Sequence, residues 1–163
     1  MVAENVAFAF IAAAMAFGAV MVVTTKNIVH AALFLVVVLG GAAAQYFLLT
    51  AEFVGWVQVI IYIGAIVVLF LFGIMLTRAP MRPSAEYDND QRVPAAAVAL
   101  LSLVGLDVLL GKAFGKVHLH FTHPTTSAAI GDSIFRNFVI PFEVVSMLLL
   151  AALVGAVVLA RRD

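Results

Sequence analysis

Five apolar runs follow one another along the chain, at 6–23, 28–49, 53–76, 93–110 and 138–160. Each is long enough to cross a hydrocarbon core of about 30 Å as a helix, the fourth only just. Polar residues collect in the breaks between them. The breaks at 24–27 and 50–52 have the length of tight turns, whereas 77–92, with Pro80 and Pro83, and 111–137 are loops. The pattern predicts an all-α integral membrane protein, a single membrane domain whose five transmembrane helices pack as a bundle. Asn27 is placed to cap the second helix, and Pro94 suits the first turn of the fourth.

Composition removes the alternatives. Of 163 residues, 65% are hydrophobic and 11% charged, and the mean hydropathy is +1.17; a water-soluble domain carries roughly a quarter of its residues charged. The chain has no cysteine, hence no disulfide framework, thiolate metal site or iron–sulfur cluster, and no redox cofactor is expected in it. Nine basic and nine acidic residues cancel without forming a basic stripe, so nucleic acid is not an expected partner. The first run follows an acidic start, with Glu4 and no lysine before Lys26, and is expected to stay as a helix rather than act as a cleaved signal.

Lys and Arg placement sets an expected orientation. With the N-terminus outside, Lys26, Arg78, Arg82, Arg92, Arg161 and Arg162 face the cytoplasm, and Lys112, Lys116 and Arg136 face out. Glu86, Asp88 and Asp90 weaken the bias of the 77–92 loop.

Polar groups at membrane depth are costly unless satisfied, so they are the first candidates for chemistry. Glu52 stands at the outer mouth of the third helix, Asp107 near the outer end of the fourth, Glu143 early in the fifth, and His30 just inside the second. Each has a plain structural reading. Glu52 and Glu143 lie near helix starts, where a carboxylate suits the dipole, and Pro141 marks the start for Glu143. Each could instead face a neighbouring subunit or a water path. Asp107 can reach outward, toward Lys112. His30 reads first as a packing or capping group. No span contains a lysine, which argues against an autonomous proton or cation antiporter. His118, His120 and His123 have metal-binding side chains, but their loop spacing, without cysteine, does not make a site.

The third run has the most character. Gln58 and Tyr62 are one α-helical turn apart and fall on one face, and the small pair Gly64-Ala65 follows. Small residues admit close approach of another helix and ease a local change of winding such as a π-bulge. An ordinary packing face, with Gln58 and Tyr62 bonded to neighbours, is the simpler reading; a hinge is the other.

Ala51-Glu52-Phe53-Val54-Gly55, leading into Val59-Ile60-Ile61-Tyr62-Ile63-Gly64-Ala65-Ile66-Val67-Val68-Leu69-Phe70, resembles the third-helix signature of the J-type membrane-arm subunit of bacterial complex I, the mitochondrial subunit 6-like family. Two further segments match in order and spacing: Asn27-Ile28-Val29-His30-Ala31-Ala32-Leu33 and Pro141-Phe142-Glu143-Val144-Val145-Ser146. Position 28 departs from the family in having Ile for Pro, and some bacterial relatives extend beyond the equivalent of Asp163.

The resemblance implies a non-redox subunit of a proton-translocating NADH:quinone oxidoreductase. Its neighbours would be the quinone-site subunit, the small K-type and A-type subunits, antiporter-like subunits and lipid. FMN, iron–sulfur clusters and quinone would sit in other subunits. The lack of a targeting segment fits a bacterial inner membrane, the preferred reading, or an organelle-encoded subunit equally. The resemblance also implies a third helix whose centre, around 62–69, switches between α and π winding to open or close a hydrated proton path. On that basis Tyr62, Gly64, Ala65 and Val68 are the leading site residues, with Glu52, Gln58, Glu143 and His30 secondary. Two rivals stand beside this reading: a homologous subunit of an energy-converting complex fed by another donor, and a purely structural scaffold.

Overall fold

The computed structural model describes residues 2–77, 91–115 and 126–161. Arg78, Arg82, Lys116 and Arg162, the acids and prolines of the 78–90 stretch, and His118, His120 and His123 lie outside the described residues. The described chain is entirely helical. Helix α1 is Val2–Thr24, α2 Ile28–Leu48 and α3 Glu52–Val57; a π-helical segment, Gln58–Val67, joins α3 to α4, Val68–Leu76; then come α5 Arg92–Phe114, α6 Ser127–Asn137 and α7 Val139–Ala160. Five stretches are long and apolar enough to cross a membrane: Val2–Thr24, Ile28–Leu48, Glu52–Leu76, Val93–Phe114 and Val139–Ala160.

These agree with the five expected runs, with two informative shifts. The first helix starts earlier and takes Glu4 into its first turn, where the carboxylate suits the exposed N–H groups. The fourth span runs through Gly111 to Phe114, because Lys112, Ala113 and Phe114 continue the helix and Gly115 ends it. Asn27 caps α2 as expected, its Oδ1 accepting from the backbone N–H of Val29 at 2.9 Å and of His30 at 3.3 Å.

The turn between α2 and α3 is a Schellman closure. Ala51 N–H donates to Tyr46 O at 2.9 Å and Thr50 N–H to Phe47 O at 3.0 Å. It places Thr50 at φ 58°, a left-handed position where a β-branched residue is strained. That tight reversal lays α3 and the π segment antiparallel along α2.

Packing is concentrated in the first three spans. Helix α2 lies between α1 and the third span, which it touches along α3, the π segment and α4. Small residues make this possible: Ala32 and Ala43 are buried, Gly18 of α1 sits against Phe34, Val37 and Val38 of α2, and Gly41 of α2 sits against Met15 of α1. Phe17 and Phe34 add an edge-to-face contact with centroids 6.1 Å apart. At the turn end of the α2–α3 hairpin, Gly55 lies under the ring of Phe47, and a Cβ there would come within 2.9 Å of Phe47 Cε1. Phe47 in turn meets Trp56 edge-on at 5.4 Å.

A branched side chain at Gly55 must displace that ring. Gly55→Val is therefore expected to cost about 1–3 kcal/mol, read as reduced detergent-stable assembly of the chain on native gels. Unchanged assembly would show that Phe47 swings aside freely.

The loop expected over 111–137 is corrected in its second half by α6. Thr126 caps it, its Oγ1 accepting from Ala129 N–H at 3.3 Å, and Asp132 pairs with Arg136 across one exposed turn. Ile130, Ile134 and Phe138 recur at the four-residue spacing of a helix, a signal diluted by the polar residues between them. Helix α6 touches α3 and α7, and Phe135 meets Phe142 edge-on at 5.1 Å. Among the described residues α5 touches no other element, and α7 touches only α6. The five expected spans are all present, and among the described residues the contacts between spans are those of the first three.

Candidate functional site: a π-wound segment in the third span

The third span changes winding twice. From Gln58 to Val67 its backbone follows π geometry, and α geometry resumes at Val68. A π-helix closes i→i+5 bonds and is rare outside single bulges, so ten residues of it, in a segment rich in β-branched side chains, are a specific local structure.

Burial confirms the winding independently of the backbone bonds. Gln58 and Val67 are the two residues of the segment buried within the chain, at 9% and 3% exposure. Nine positions apart, they would face opposite ways after about two and a half α-helical turns, but they align after about two turns of the wider helix. Between them Ile63 points toward α2, its Cδ1 lying 3.9 Å from where a Cβ on Gly40 would stand.

This arrangement revises the expectation that Gln58 and Tyr62 share one packed face with their polar groups bonded to neighbours. Tyr62 is 46% exposed, while Gln58 is buried. The wider winding moves Tyr62 to the shoulder of the face and brings Ile63 inward. Gln58 has no hydrogen-bond partner for its side chain among the described residues. Its carboxamide is the one buried polar side chain there, and it stands at the first residue of the π segment, against the α2 side.

Tyr62, Gly64 and Ala65 all fall within the π segment, and Val68 is the first residue beyond it. The wound region therefore begins four residues ahead of the stretch expected to change winding. Gly64 and Ala65 are exposed, and a Cβ on Gly64 would meet only Val59 O, at 3.4 Å. That carbonyl is five residues back on the same helix, so among the described residues the glycine serves no close approach of another helix. Val68 is also exposed.

The secondary candidates are dispersed. Glu52 lies in the first turn of α3 and is exposed. His30 is exposed in the first turn of α2. Glu143 is exposed on α7 beyond its first turn, so the helix dipole accounts for it less well than the sequence suggested. Its backbone carbonyl accepts from Ser146 Oγ at 2.8 Å. Among the described residues no group of three His, Cys, Asp or Glu side chains stands close enough to hold a metal ion. Sequence reasoning missed Gly18, Gly40 and Gly41, the small residues on which α1, α2 and the π segment close, since each reads as neutral until its partner is known.

The profile of the family described as NADH-ubiquinone/plastoquinone oxidoreductase chain 6 matches residues 18–159, from within the first span to near the end of the last. The chain belongs to this family. Chain 6 relatives align over nearly all of it. NAD(P)H-quinone oxidoreductase chain 6 of Leptolyngbya boryana is 40% identical, covering 98% of this chain and 81% of the relative. F(420)H(2) dehydrogenase subunit J of Methanosarcina mazei is 38% identical, with coverages of 98% and 92%. The chloroplastic NAD(P)H-quinone oxidoreductase subunit 6 of Nephroselmis olivacea is 35% identical, with coverages of 99% and 95%. As a chain 6 protein it is a multi-pass membrane subunit of a multisubunit quinone oxidoreductase. That setting fits the absence of any buried residue in the apolar windows of α5 and α7.

Proposed function

We propose that this subunit serves a proton-translocating NADH:quinone oxidoreductase and couples quinone reduction to proton movement through a change of winding in its third span. The observation that carries the reading is the π segment at Gln58–Val67, coincident with the apolar Tyr-Ile-Gly-Ala motif at 62–65. Rewinding to α geometry about a fixed Gln58 would turn Val67 away from α2 and bring Ala65 to the packed face. Tyr62, Gly64, Ala65 and Val68 lie in or beside the part that turns. The same turn exchanges Ile63 for Tyr62 on that face, so a phenol comes within one turn of the buried carboxamide and a small side chain lies beyond it, a more polar and less filled lining that water can enter.

The chain holds no redox group in this reading. FMN, iron–sulfur clusters and quinone belong to other subunits, and the neighbours are the quinone-site, K-type, A-type and antiporter-like subunits with lipid between. The membrane is a bacterial inner membrane, the N-terminus outside. A second reading has a specific observation behind it: the Methanosarcina relative, at 38% identity, is named for a different electron donor. The same switch would then serve an F420H2-fed complex.

Affinity isolation of the tagged chain from native membranes, followed by native electrophoresis, in-gel NADH dehydrogenase staining and mass spectrometry, separates the two. Co-migration with flavin-bearing NADH-oxidising subunits is the expected result. A complex of the same membrane subunits that does not stain with NADH supports the other donor, and a small band with unrelated proteins overturns both.

A further inference from the structure

Helix α5 carries a carboxylate that the rest of the described chain leaves unanswered. Asp107 lies seven residues before the end of α5 at Phe114, about 10 Å along the axis, inside the candidate membrane span Val93–Phe114. An aspartate is too short to reach the interface from that depth, unlike a lysine or arginine. The expectation that it turns toward Lys112 is not met: five residues on, Lys112 is rotated by about 140°, and Asp107 has no ion pair or hydrogen bond from its side chain among the described residues. No other element of the described chain touches α5 to bring a cation, and Arg136 is already paired with Asp132.

The residues that share Asp107's side of the helix are Leu100, Leu103, Val104, Leu110 and Gly111, by their three- and four-residue spacing. They form an apolar stripe with one charge at its centre, and a Cβ on Gly111 would meet nothing within 4 Å. A glycine one turn from an exposed carboxylate within the span lets a second helix come close enough for a side chain to reach the charge. Charge complementarity then defines the occupant, because an ionisable group within a membrane span is held by an opposite charge or by water.

We infer that the Asp107 face of α5 docks a transmembrane helix of a neighbouring subunit, which presents a lysine or arginine to the carboxylate within the membrane. This rests on membership in a multisubunit membrane complex and not on the proposed winding switch, so the two fail separately.

The test uses the assembled complex in native membranes. A photo-crosslinking residue at Val104 or at Gly111, with Asp107 intact, is expected to form an adduct with another membrane subunit, mapping to a helix that contains Lys or Arg within its span. Lipid adducts alone, or a helix without a basic residue, would overturn the inference. In parallel, Asp107→Leu is expected to lower incorporation into the high-mass complex about tenfold while leaving the amount of chain in the membrane unchanged, and Asp107→Glu to retain it. Wild-type incorporation of the leucine variant would mean that the carboxylate faces lipid or water. Should the leucine variant be lost from the membrane altogether, the adducts, made with Asp107 in place, decide the matter.

Discussion

Gly64→Val is expected to lower quinone-linked donor oxidation and proton pumping severalfold, while oxidation of the same donor by an artificial acceptor and assembly of the complex stay near wild type. The reason is local. In the π form a Cβ at position 64 stands 3.4 Å from Val59 O, an ordinary contact, so alanine fits. Valine adds two γ-carbons with restricted χ1 beside that carbonyl, and a side chain forced off its preferred rotamer costs about 0.5–1.5 kcal/mol. A cost of that size borne by one winding alone shifts a two-state balance by about tenfold or less. Among the described residues no other helix lies within 4 Å of the added Cβ, so packing among the first three spans is undisturbed. Gly64→Ala serves as the control and should couple normally. Wild-type pumping in an assembled valine variant would sink the switching mechanism. Loss of both activities together with loss of assembly would instead support a scaffold role, in which position 64 meets a neighbouring subunit.

How far the sequence led depended on where it had contrast. The five spans were legible because membrane thickness sets a length and lipid sets a composition, and both are carried by every residue of a run. The α2 cap was legible because only a few side chains can satisfy orphan N–H groups, and Asn27 stood at the boundary. Within the third span there was almost no contrast. From Val59 to Val67 every residue is apolar save the phenol of Tyr62, so no stripe distinguishes a period of 3.6 from a wider one. The single polar mark, Gln58, was assigned a face with the α period, and Tyr62 went with it. Helix α6 was hidden for the opposite reason, since Ser127, Asp132, Ser133 and Arg136 gave its segment the composition of a loop. Which spans pack on one another was not legible, because an apolar span looks the same whether it touches its own chain, as α2 does, or, like α5, touches no other element among the described residues.

The second large effect is expected at Gln58. Its carboxamide is nine-tenths buried at the α2 interface with no hydrogen-bond partner among the described residues, a condition that costs about 1–3 kcal/mol. Leucine occupies a similar volume without polar atoms. Gln58→Leu removes the cost in the π form and gains nothing comparable in any form that hydrates or pairs the amide. The variant should therefore assemble fully, and its complex should lose quinone-linked turnover and pumping by about fivefold or more. Because Gly64→Val penalises the π form and Gln58→Leu favours it, the double variant should recover part of the coupling that each single variant loses. Two substitutions that merely damaged one interface would add or compound. Recovery in the double variant, measured as protons moved per donor oxidised in vesicles, is thus the signature of a shared equilibrium. If the double variant is as impaired as the worse single one, then Gln58 and Gly64 do not bias a common change of winding, and the buried amide must be explained by a fixed water at the α2 interface.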